Sequence, residues 1–344
     1  MVNILLEKPI KANPIGTHHQ LGDLLKVANG LFFFLSASTT LSWMSMDSEI
    51  KNGGSVAFRD CRRITSFDLI RTSVPNVILL TIGTVDGWLE VFTINVATRT
   101  KCHAESHFLQ KQVNDLLLVR SQDNSDVFNL FVGANTPDIH LYKIFIDENQ
   151  ACHCKHYDFL PCGFPINRVA LSPNHDFLAA AGDYSTIKIY KREGEHYYYM
   201  DGIRAANVLE GIYALEWFAN SNTLAFGTDM GEYFSFRLHG NQFIPHSHIR
   251  INRPSAPQYA KLAPVPGFAD TTVCVSRSKH ILIIDYRCGT HQIFHLDQTL
   301  NDSNRIVGLI VTSTHIYVAI AHFGILKLSI DMKERRTIFS TSIL

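Results

Sequence analysis

The sequence predicts an all-β protein, a seven-bladed β-propeller whose blades are four-stranded antiparallel sheets. Three observations predict it: short apolar runs recur along the whole chain at intervals of 45 to 50 residues, each run is flanked by strand-like segments, and helical patterns are nearly absent. A period in the forties with three or four short strands per repeat is typical of propellers. Each run ends in a small residue, and these residues are Ser36, Gly83, Gly133, Gly182, Gly227, Ser276 and Ala321.

The first strand of each unit is predicted just before the apolar run. It follows the order apolar-x-x-apolar-x-apolar, as Ile166, Val169 and Leu171 do in the fourth unit. The corresponding positions in the other units are Leu21/Leu24, Ile64/Phe67/Leu69, Val113/Leu116/Leu118, Ile212/Leu215/Trp217, Tyr259/Leu262 and Ile306/Leu309/Val311. Two strands therefore keep the same register in every unit, which supports a true repeat.

The second strand is the apolar run itself, for example Phe177–Ala181. A strand packed between two neighbouring blades is buried on both faces and therefore forms a continuous apolar segment. A tight turn, clearest at Asp86-Gly87, leads into an alternating third strand such as Ile187–Tyr190. In the fourth unit Ala179–Ala181 are small for a central strand, which predicts either a closely approaching neighbour or space between the blades.

The fourth, outer strand of each unit is expected to be half exposed and therefore more polar. The candidate outer strands are Lys51–Phe58, Arg99–His107, Ala151–Asp158, Glu195–Met200, Gln242–His248, Gln292–Asp297 and Arg336–Ser342. The N-terminal Val2–Glu7 is a spare strand that can add to the last blade, tie the chain ends together and remove an exposed sheet edge. The sequence thus predicts a single domain, 1–344, with blades at about 12–58, 60–108, 110–160, 163–206, 209–254, 256–300 and 303–344, the last extended by residues 2–7.

Charge and cysteine content bear on the class of protein. Lys plus Arg and Asp plus Glu number 31 each, so no basic surplus indicates binding to nucleic acid or to an anionic membrane. Seven irregularly spaced cysteines do not suggest a disulfide framework. The N-terminus lacks the pattern of a signal peptide, and the longest apolar run, Leu31–Leu35, is far shorter than the ~20 residues of a membrane span. These features predict a protein of the cytoplasm or nucleus.

Several features resemble the WD-repeat β-propeller family across essentially all seven units. An apolar residue followed by Asp or Asn tends to end the third strand, as in Ile284-Asp285, and an Asp occupies the inter-strand turn, as Asp183 does. The family's Gly-His pair before the first strand is missing, and Ile, Met, Leu or Tyr replaces the Trp that ends its third strand. Asp183 therefore lacks the family's His–Ser–Trp hydrogen-bond network. The resemblance implies the seven-bladed ring and a role in binding other proteins.

The resemblance also implies a docking surface. In this family the connection into the first strand opens on the narrow face of the ring, around the central channel, and that face is the usual docking surface. The positions here mix cations, amides and aromatics, as a protein interface does, and they are Arg62, Arg63, Asn114, Asp115, Asn167, Arg168, Tyr213, Tyr259, Lys261, Asn304 and Arg305. The alternative is that several of them only solvate the channel mouth. On an outer strand, Tyr197–Tyr199 is either ordinary sheet packing or an exposed aromatic contact.

No motif indicates catalysis or a cofactor. The chain lacks a G-x-S-x-G elbow, a Walker loop, a G-x-G-x-x-G segment after a strand, and an H-E-x-x-H pair. Cys152, Cys154 and His156 alternate along one predicted outer strand and share a face. Residues two apart on a strand lie roughly 6.5–7 Å apart, which is too far to converge easily on one tetrahedral metal. We therefore expect no metal, no cofactor and no enzymatic activity.

The sequence accordingly predicts a non-enzymatic scaffold or adaptor in a multiprotein complex, and it leaves three alternatives open. Asp285-Tyr286-Arg287 resembles the end of the Asp-x-Arg box in substrate receptors of cullin-RING ubiquitin ligases, which would make Asp285 and Arg287 contacts to the ligase adaptor. A coat or nuclear-pore scaffold would use outer strands or the N-terminal strand. An enzyme would have a deep pocket at the channel mouth, with strongly shifted pKa values.

Overall fold

A computed structural model of the chain describes residues 3–6, 10–12, 14–15, 23–47, 53–58, 63–122, 124–147, 151–204, 211–228, 232–250, 259–268, 271–276, 280–285, 290–296 and 305–331. All regular structure in these ranges is β-strand, arranged in seven four-stranded antiparallel sheets. None of these residues belongs to a helix that could cross a lipid bilayer.

The seven sheets are the blades, numbered in chain order. Blade 1 comprises β2 (Leu25–Ala28), β3 (Leu31–Ala37), β4 (Thr40–Ser45) and β5 (Gly53–Ala57). Blade 2 comprises β6 (Ile64–Arg71), β7 (Val77–Thr84), β8 (Trp88–Asn95) and β9 (Thr100–Phe108). Blade 3 comprises β10 (Val113–Arg120), β11 (Val127–Ala134), β12 (Asp138–Ile146) and β13 (Cys152–Pro161). Blade 4 comprises β14 (Ile166–Leu171), β15 (Phe177–Gly182), β16 (Thr186–Glu193) and β17 (His196–Arg204).

The remaining blades follow the same order, except at the point where the ring closes. Blade 5 comprises β18 (Ile212–Trp217), β19 (Thr223–Thr228), β20 (Glu232–His239) and β21 (Gln242–Arg250). Blade 6 comprises β22 (Tyr259–Pro264), β23 (Thr271–Ser276), β24 (His280–Asp285) and β25 (Thr290–His295). Blade 7 comprises β26 (Ile306–Val311), β27 (His315–Ile320), β28 (Gly324–Asp331) and the N-terminal β1 (Asn3–Leu6).

The blades form a closed ring. The first strand of each blade contacts the first strand of the next, from β2 through β26 and back to β2, so these strands line the centre. β1 pairs antiparallel with β28, with Leu5 opposite Ser329, which confirms that the two ends of the chain close the ring. β1 is the fourth strand of blade 7 in this pairing, and the outer strand predicted at 336–342 lies outside the described residues.

Burial follows the predicted order within each blade. β15 is buried along its whole length, whereas the outer strand β9 is mostly exposed or half-buried. The innermost pair of strands in blades 2 to 7 carries a register shift near its start, and the outermost pair of blades 2 to 5 carries another. Such bulges increase strand twist, which suits blades that must pack face to face around an axis.

The small residues of β15 allow the next blade to come close. Ala179 and Ala181 are fully buried in one cluster with Trp217 of β18. The indole of Trp217 stacks on Phe177 with ring centroids 5.8 Å apart, and its Nε1–H donates to the Ala170 carbonyl at 3.0 Å. Of the two possibilities that the sequence left open here, the close approach of a neighbouring blade is confirmed.

Candidate functional site

Charged side chains recur on the innermost strands. Six of the seven innermost strands have one charged residue at an interior position of the strand. These residues are Lys26, Asp68, Asp115, Arg168, Glu216 and Lys261. A seventh charge, Asp23, lies just before β2, and its carboxylate accepts the amide of Leu25. We call these seven residues the channel ring. Their charges act on one another across the blades, since Lys26 and Arg168 both act on Glu216.

The pair between blades 3 and 4 joins two buried side chains. Arg168 Nη1 lies 3.1 Å from Asp115 Oδ1, and the other carboxylate oxygen of Asp115 accepts the Val169 amide at 3.0 Å. Burial acts to lower the pKa of Arg168, but Asp115 and three further carboxylates together outweigh it and hold that pKa above its ordinary value. Burial raises the pKa of Asp115, against the opposing effects of Arg168 and the Val169 amide. One carboxylate thus joins two neighbouring blades.

Asp68 makes an equivalent link among blades 1, 2 and 3. Its Oδ1 lies 3.1 Å from Lys26 Nζ, and its Oδ2 accepts the Leu118 amide at 2.7 Å. Burial acts to lower the pKa of Lys26, but the carboxylates of Asp68 and Asp23 raise it above the ordinary value. Asp68 and Asp115 therefore bond to groups of adjacent blades and tie blades 1 to 4 together.

Two members of the channel ring have pKa values near neutrality. Burial raises the pKa of Glu216 to about 7, although Arg168 acts to lower it. Burial lowers the pKa of Lys261 to about 7, although Asp23 acts to raise it. Both groups therefore change charge in the neutral range as a consequence of burial.

Replacing Glu216 with glutamine is expected to stabilise the protein more at pH 8 than at pH 5. The unfolded carboxyl ionises near pH 4.5 and the folded one near pH 7. Between these values the folded protein keeps a proton that the unfolded chain has lost, so stability falls as the pH rises and the cost is complete above pH 7. Denaturant midpoints of both proteins at the two pH values measure the effect, and an equal difference between the proteins at both would contradict it.

The predicted narrow-face residues fall into three groups. Arg63 and Arg305 are exposed, and Tyr213 is half-buried. Five others are buried polar or charged residues, namely Asn114, Asp115, Asn167, Arg168 and Lys261. The backbone of Tyr259 begins β22, and Arg62 and Asn304 lie outside the described residues. Of the two positions suggested for a ligase adaptor, Asp285 is half-buried at the end of β24, and Arg287 lies outside the described residues.

The two buried asparagines bond to the chain itself. Asn114 Nδ2 donates to Asn135 Oδ1 and to the Ile166 carbonyl, both at 2.7 Å, and so crosses from blade 3 to blade 4. Asn167 Nδ2 donates to Asp183 Oδ1 at 2.7 Å. Asp183 thus has an asparagine partner where the WD-repeat family has its His–Ser–Trp network. Such contacts satisfy buried polar groups.

The alternating Cys152, Cys154 and His156 lie on β13 opposite Ile146, Ile144 and Tyr142 of β12. Burial raises the pKa of Cys152 to about 12 and that of Cys154 further above its ordinary value. His156 packs edge-on against Tyr142 at 4.9 Å. Among the described residues, no group of three His, Cys, Asp or Glu side chains could hold a metal ion.

Aromatic side chains are exposed on the outer strands of blades 2, 3 and 4. Phe108, Phe159, Tyr198 and Tyr199 are each more than half exposed. Tyr197 instead packs against Phe131 with ring centroids 5.5 Å apart. Of the three consecutive tyrosines, Tyr197 therefore takes part in ordinary sheet packing, whereas Tyr198 and Tyr199 are exposed to solvent.

The sequence matches no protein-family model and no curated protein. Solved structures with the same fold are numerous. A chain of the mitotic checkpoint complex is 16% identical with a TM-score of 0.67, over 95% of this chain and 93% of that one. A chain from the structure of Chaetomium thermophilum Sqt1 bound to the N-terminus of the ribosomal protein L10 is 16% identical with a TM-score of 0.65, over 89% of this chain and 82% of that one.

These likenesses show the fold alone, which is a seven-bladed β-propeller. This confirms the seven-bladed prediction and the structural part of the resemblance. Four members of the channel ring are not among the site residues that the sequence predicts, and these are Asp23, Lys26, Asp68 and Glu216. A detectable signal existed in the propeller repeat, because each of Lys26, Asp68 and Glu216 is a charged residue with an apolar neighbour on both sides in an inner strand.

Proposed function

We propose that this protein is a non-enzymatic scaffold or adaptor in a multiprotein complex, with partners bound on the blade rims and on the narrow face. The observation that carries the proposal is the set of exposed aromatic side chains on the outer strands of blades 2 to 4. Aromatic residues are enriched at protein interfaces, where their large rings contribute much of the binding energy. On the narrow face, the contacts are assigned to Arg63, Tyr213 and Arg305, which are at least partly accessible.

The buried members of the predicted narrow-face set receive a different role in this proposal. Asp115, Arg168 and Asn114 hold blades 3 and 4 together through side-chain bonds that cross the blade boundary. A partner could reach these atoms only by breaking those bonds. Their contribution to partner binding is therefore indirect, through the shape of the ring.

The channel is the place where the enzyme alternative would have to operate. Glu216 and Lys261 have pKa values near 7 there, as a catalytic acid or base can have. The cause is burial in the wall between blades, and Lys261 is only 3% exposed. A lysine buried to this degree offers little surface to a substrate, so the shift at Lys261 supports a structural role.

Three further observations agree with a protein-binding role in the cytoplasm or nucleus. Both structural neighbours come from protein complexes, one of them with the N-terminus of a ribosomal protein. The net charge of zero gives no general attraction to nucleic acid or to an anionic membrane. Five cysteines in the described part of the chain, at Cys102, Cys152, Cys154, Cys162 and Cys274, are free thiols, which suits a reducing compartment.

Affinity capture from cells that express the protein tests the proposal. We expect the wild-type chain to recover a reproducible set of partner proteins, and a Phe159→Ser/Tyr199→Ser variant to lose at least one of them. Ile244→Ser is the matched control, because it removes an exposed apolar side chain from the rim of blade 5. Recovery of no specific partner by a folded wild-type protein would contradict the scaffold role. Recovery of the same partners by both variants would contradict the proposal that the rims of blades 3 and 4 contact a partner.

A further inference from the structure

A groove opens between the outer parts of blades 3 and 4. Its volume is about 510 Å³, within the roughly 300–1,000 Å³ range of ligand-binding pockets. Blade 3 contributes residues of β11, β12 and β13 and of the segment before β11, and blade 4 contributes residues at the end of β16, in the following turn and at the start of β17. Aromatic rings line it, because Phe145 is 41% exposed and Tyr157 and Tyr197 are half-buried.

Cations predominate among the charged residues of this groove. Lys143, Lys155 and Arg192 line it together with a single carboxylate, Glu195. The chain as a whole is neutral, so the groove has a local positive surplus. Lys155 is exposed, and it forms no hydrogen bond or ion pair with any residue in the described ranges.

The two lysines of blade 3 are in an unfavourable arrangement. Lys143 on β12 lies directly opposite Lys155 on β13 in the register of the two strands. Like charges directly opposite each other on neighbouring strands destabilise a sheet. A bound anion would relieve that repulsion, and the pair therefore indicates an acidic ligand.

Glu195 places a carboxylate against one of the groove's lysines. Its carboxylate reaches across from blade 4 and lies 2.6 Å from Lys143 Nζ, which also sits over the Tyr157 ring at 5.3 Å. This contact neutralises one lysine of the pair and leaves Lys155 facing the groove. A carboxylate from another molecule would find the same kind of donor there, beside an aromatic surface.

We propose that this groove binds an extended acidic segment of a partner protein, with a carboxylate at Lys155 and an apolar or aromatic side chain against Phe145, Tyr157 and Tyr197. The inference rests on the proposed protein-binding function and specifies the chemistry of one partner. A single-stranded nucleic acid fits less well, because its backbone is followed by a longer track of cations. Three cations in one confined groove, with a carboxylate among them, suit a short acidic peptide.

Binding of synthetic peptides to the purified protein tests the inference by fluorescence anisotropy. The probe is a labelled peptide in which Asp and Glu flank one Phe, and the comparison peptides replace each acid by Lys, or the Phe by Ala. We expect the acidic Phe peptide to bind most tightly, and Lys155→Glu to weaken it by about tenfold through charge reversal. Lys191→Glu is the matched control, because Lys191 is exposed on β16 but does not line the groove.

Glu195→Gln supplies a result that a purely structural role would not give. Removal of the internal carboxylate frees Lys143 for the peptide, so affinity should rise by about two- to fivefold, the scale of an exposed ion pair. Equal binding of acidic and basic peptides, or equal effects of Lys155→Glu and Lys191→Glu, would overturn the inference. A labelled single-stranded oligonucleotide that binds more tightly than the peptide and loses binding in Lys155→Glu would also overturn it. If the Lys155→Glu variant and the wild-type protein capture the same cellular partners, the inference about the groove is contradicted, whereas the proposed scaffold function is not.

Discussion

Replacing Arg168 with methionine is expected to lower the free energy of unfolding by about 3–5 kcal/mol, the usual cost of removing one partner from a buried ion pair. Asp115 is 4% exposed, and its carboxylate would lose the guanidinium that lies 3.1 Å away. Of the two bonds that join the Asp115 carboxylate to blade 4, only the one from the Val169 amide would remain. Denaturant unfolding followed by circular dichroism measures the loss.

Arg305→Met is the matched control for this change. Arg305 is exposed at the start of blade 7, and exposed substitutions away from special contacts usually change stability by less than about 0.5 kcal/mol. Asp115→Asn combined with Arg168→Met should cost less than the sum of the two single changes, because the pair is lost in either variant. Equal stabilities of the Arg168→Met and Arg305→Met proteins would show that the channel ring does not hold the blades together.

Replacing Trp217 with alanine is expected to lower the free energy of unfolding by about 3–5 kcal/mol, as for other buried large-to-small changes. The side chain is 1% exposed and packs against Phe177 and Phe243 with ring centroids 5.8 and 5.7 Å away. Its removal would leave a cavity next to the small Ala179 and Ala181, which cannot fill it. Denaturant unfolding monitored by circular dichroism measures this loss as well.

Two controls separate packing from hydrogen bonding at Trp217. Trp217→Phe keeps an aromatic ring and loses mainly the bond from Nε1 to the Ala170 carbonyl, so its cost should lie well below that of alanine. Trp88→Ala removes a half-buried tryptophan whose ring neighbour is the exposed Phe108, and it should cost less than Trp217→Ala. A cost at Trp88 as large as that at Trp217 would argue against close packing of blades 4 and 5 as the cause.

The fold could be predicted because the burial of each strand determines which positions of the repeat are apolar. A strand enclosed on both faces, such as Phe177–Gly182, must be apolar at every position, and this pattern survives when individual family residues are replaced. Closure by β1 was also predictable, since the sequence predicts a spare strand at residues 2–7, and Asn3–Leu6 pairs with β28.

The candidate site was less accessible to sequence reasoning. The position of the connecting segments predicts the narrow-face set, and position alone does not distinguish Arg63, which is exposed, from Arg168, which lies buried against Asp115. The lysine pair of the groove depends on the register of β12 against β13, and a bulge between Leu141 and Tyr142 shifts that register. A one-residue shift of this kind changes which side chains face each other, and it has no clear sequence signal.

The central claim is that partners bind on the exposed rim while the channel ring holds the blades together. Amide hydrogen exchange tests it most directly. The exchange is measured for the protein alone and for the protein saturated with a partner recovered by affinity capture. We predict that partner binding slows amide exchange in the outer strands Cys152–Pro161 and His196–Arg204 and leaves the innermost strands Val113–Arg120 and Ile166–Leu171 unchanged. Slowed exchange confined to those innermost strands, with no change in any outer strand, would contradict the claim.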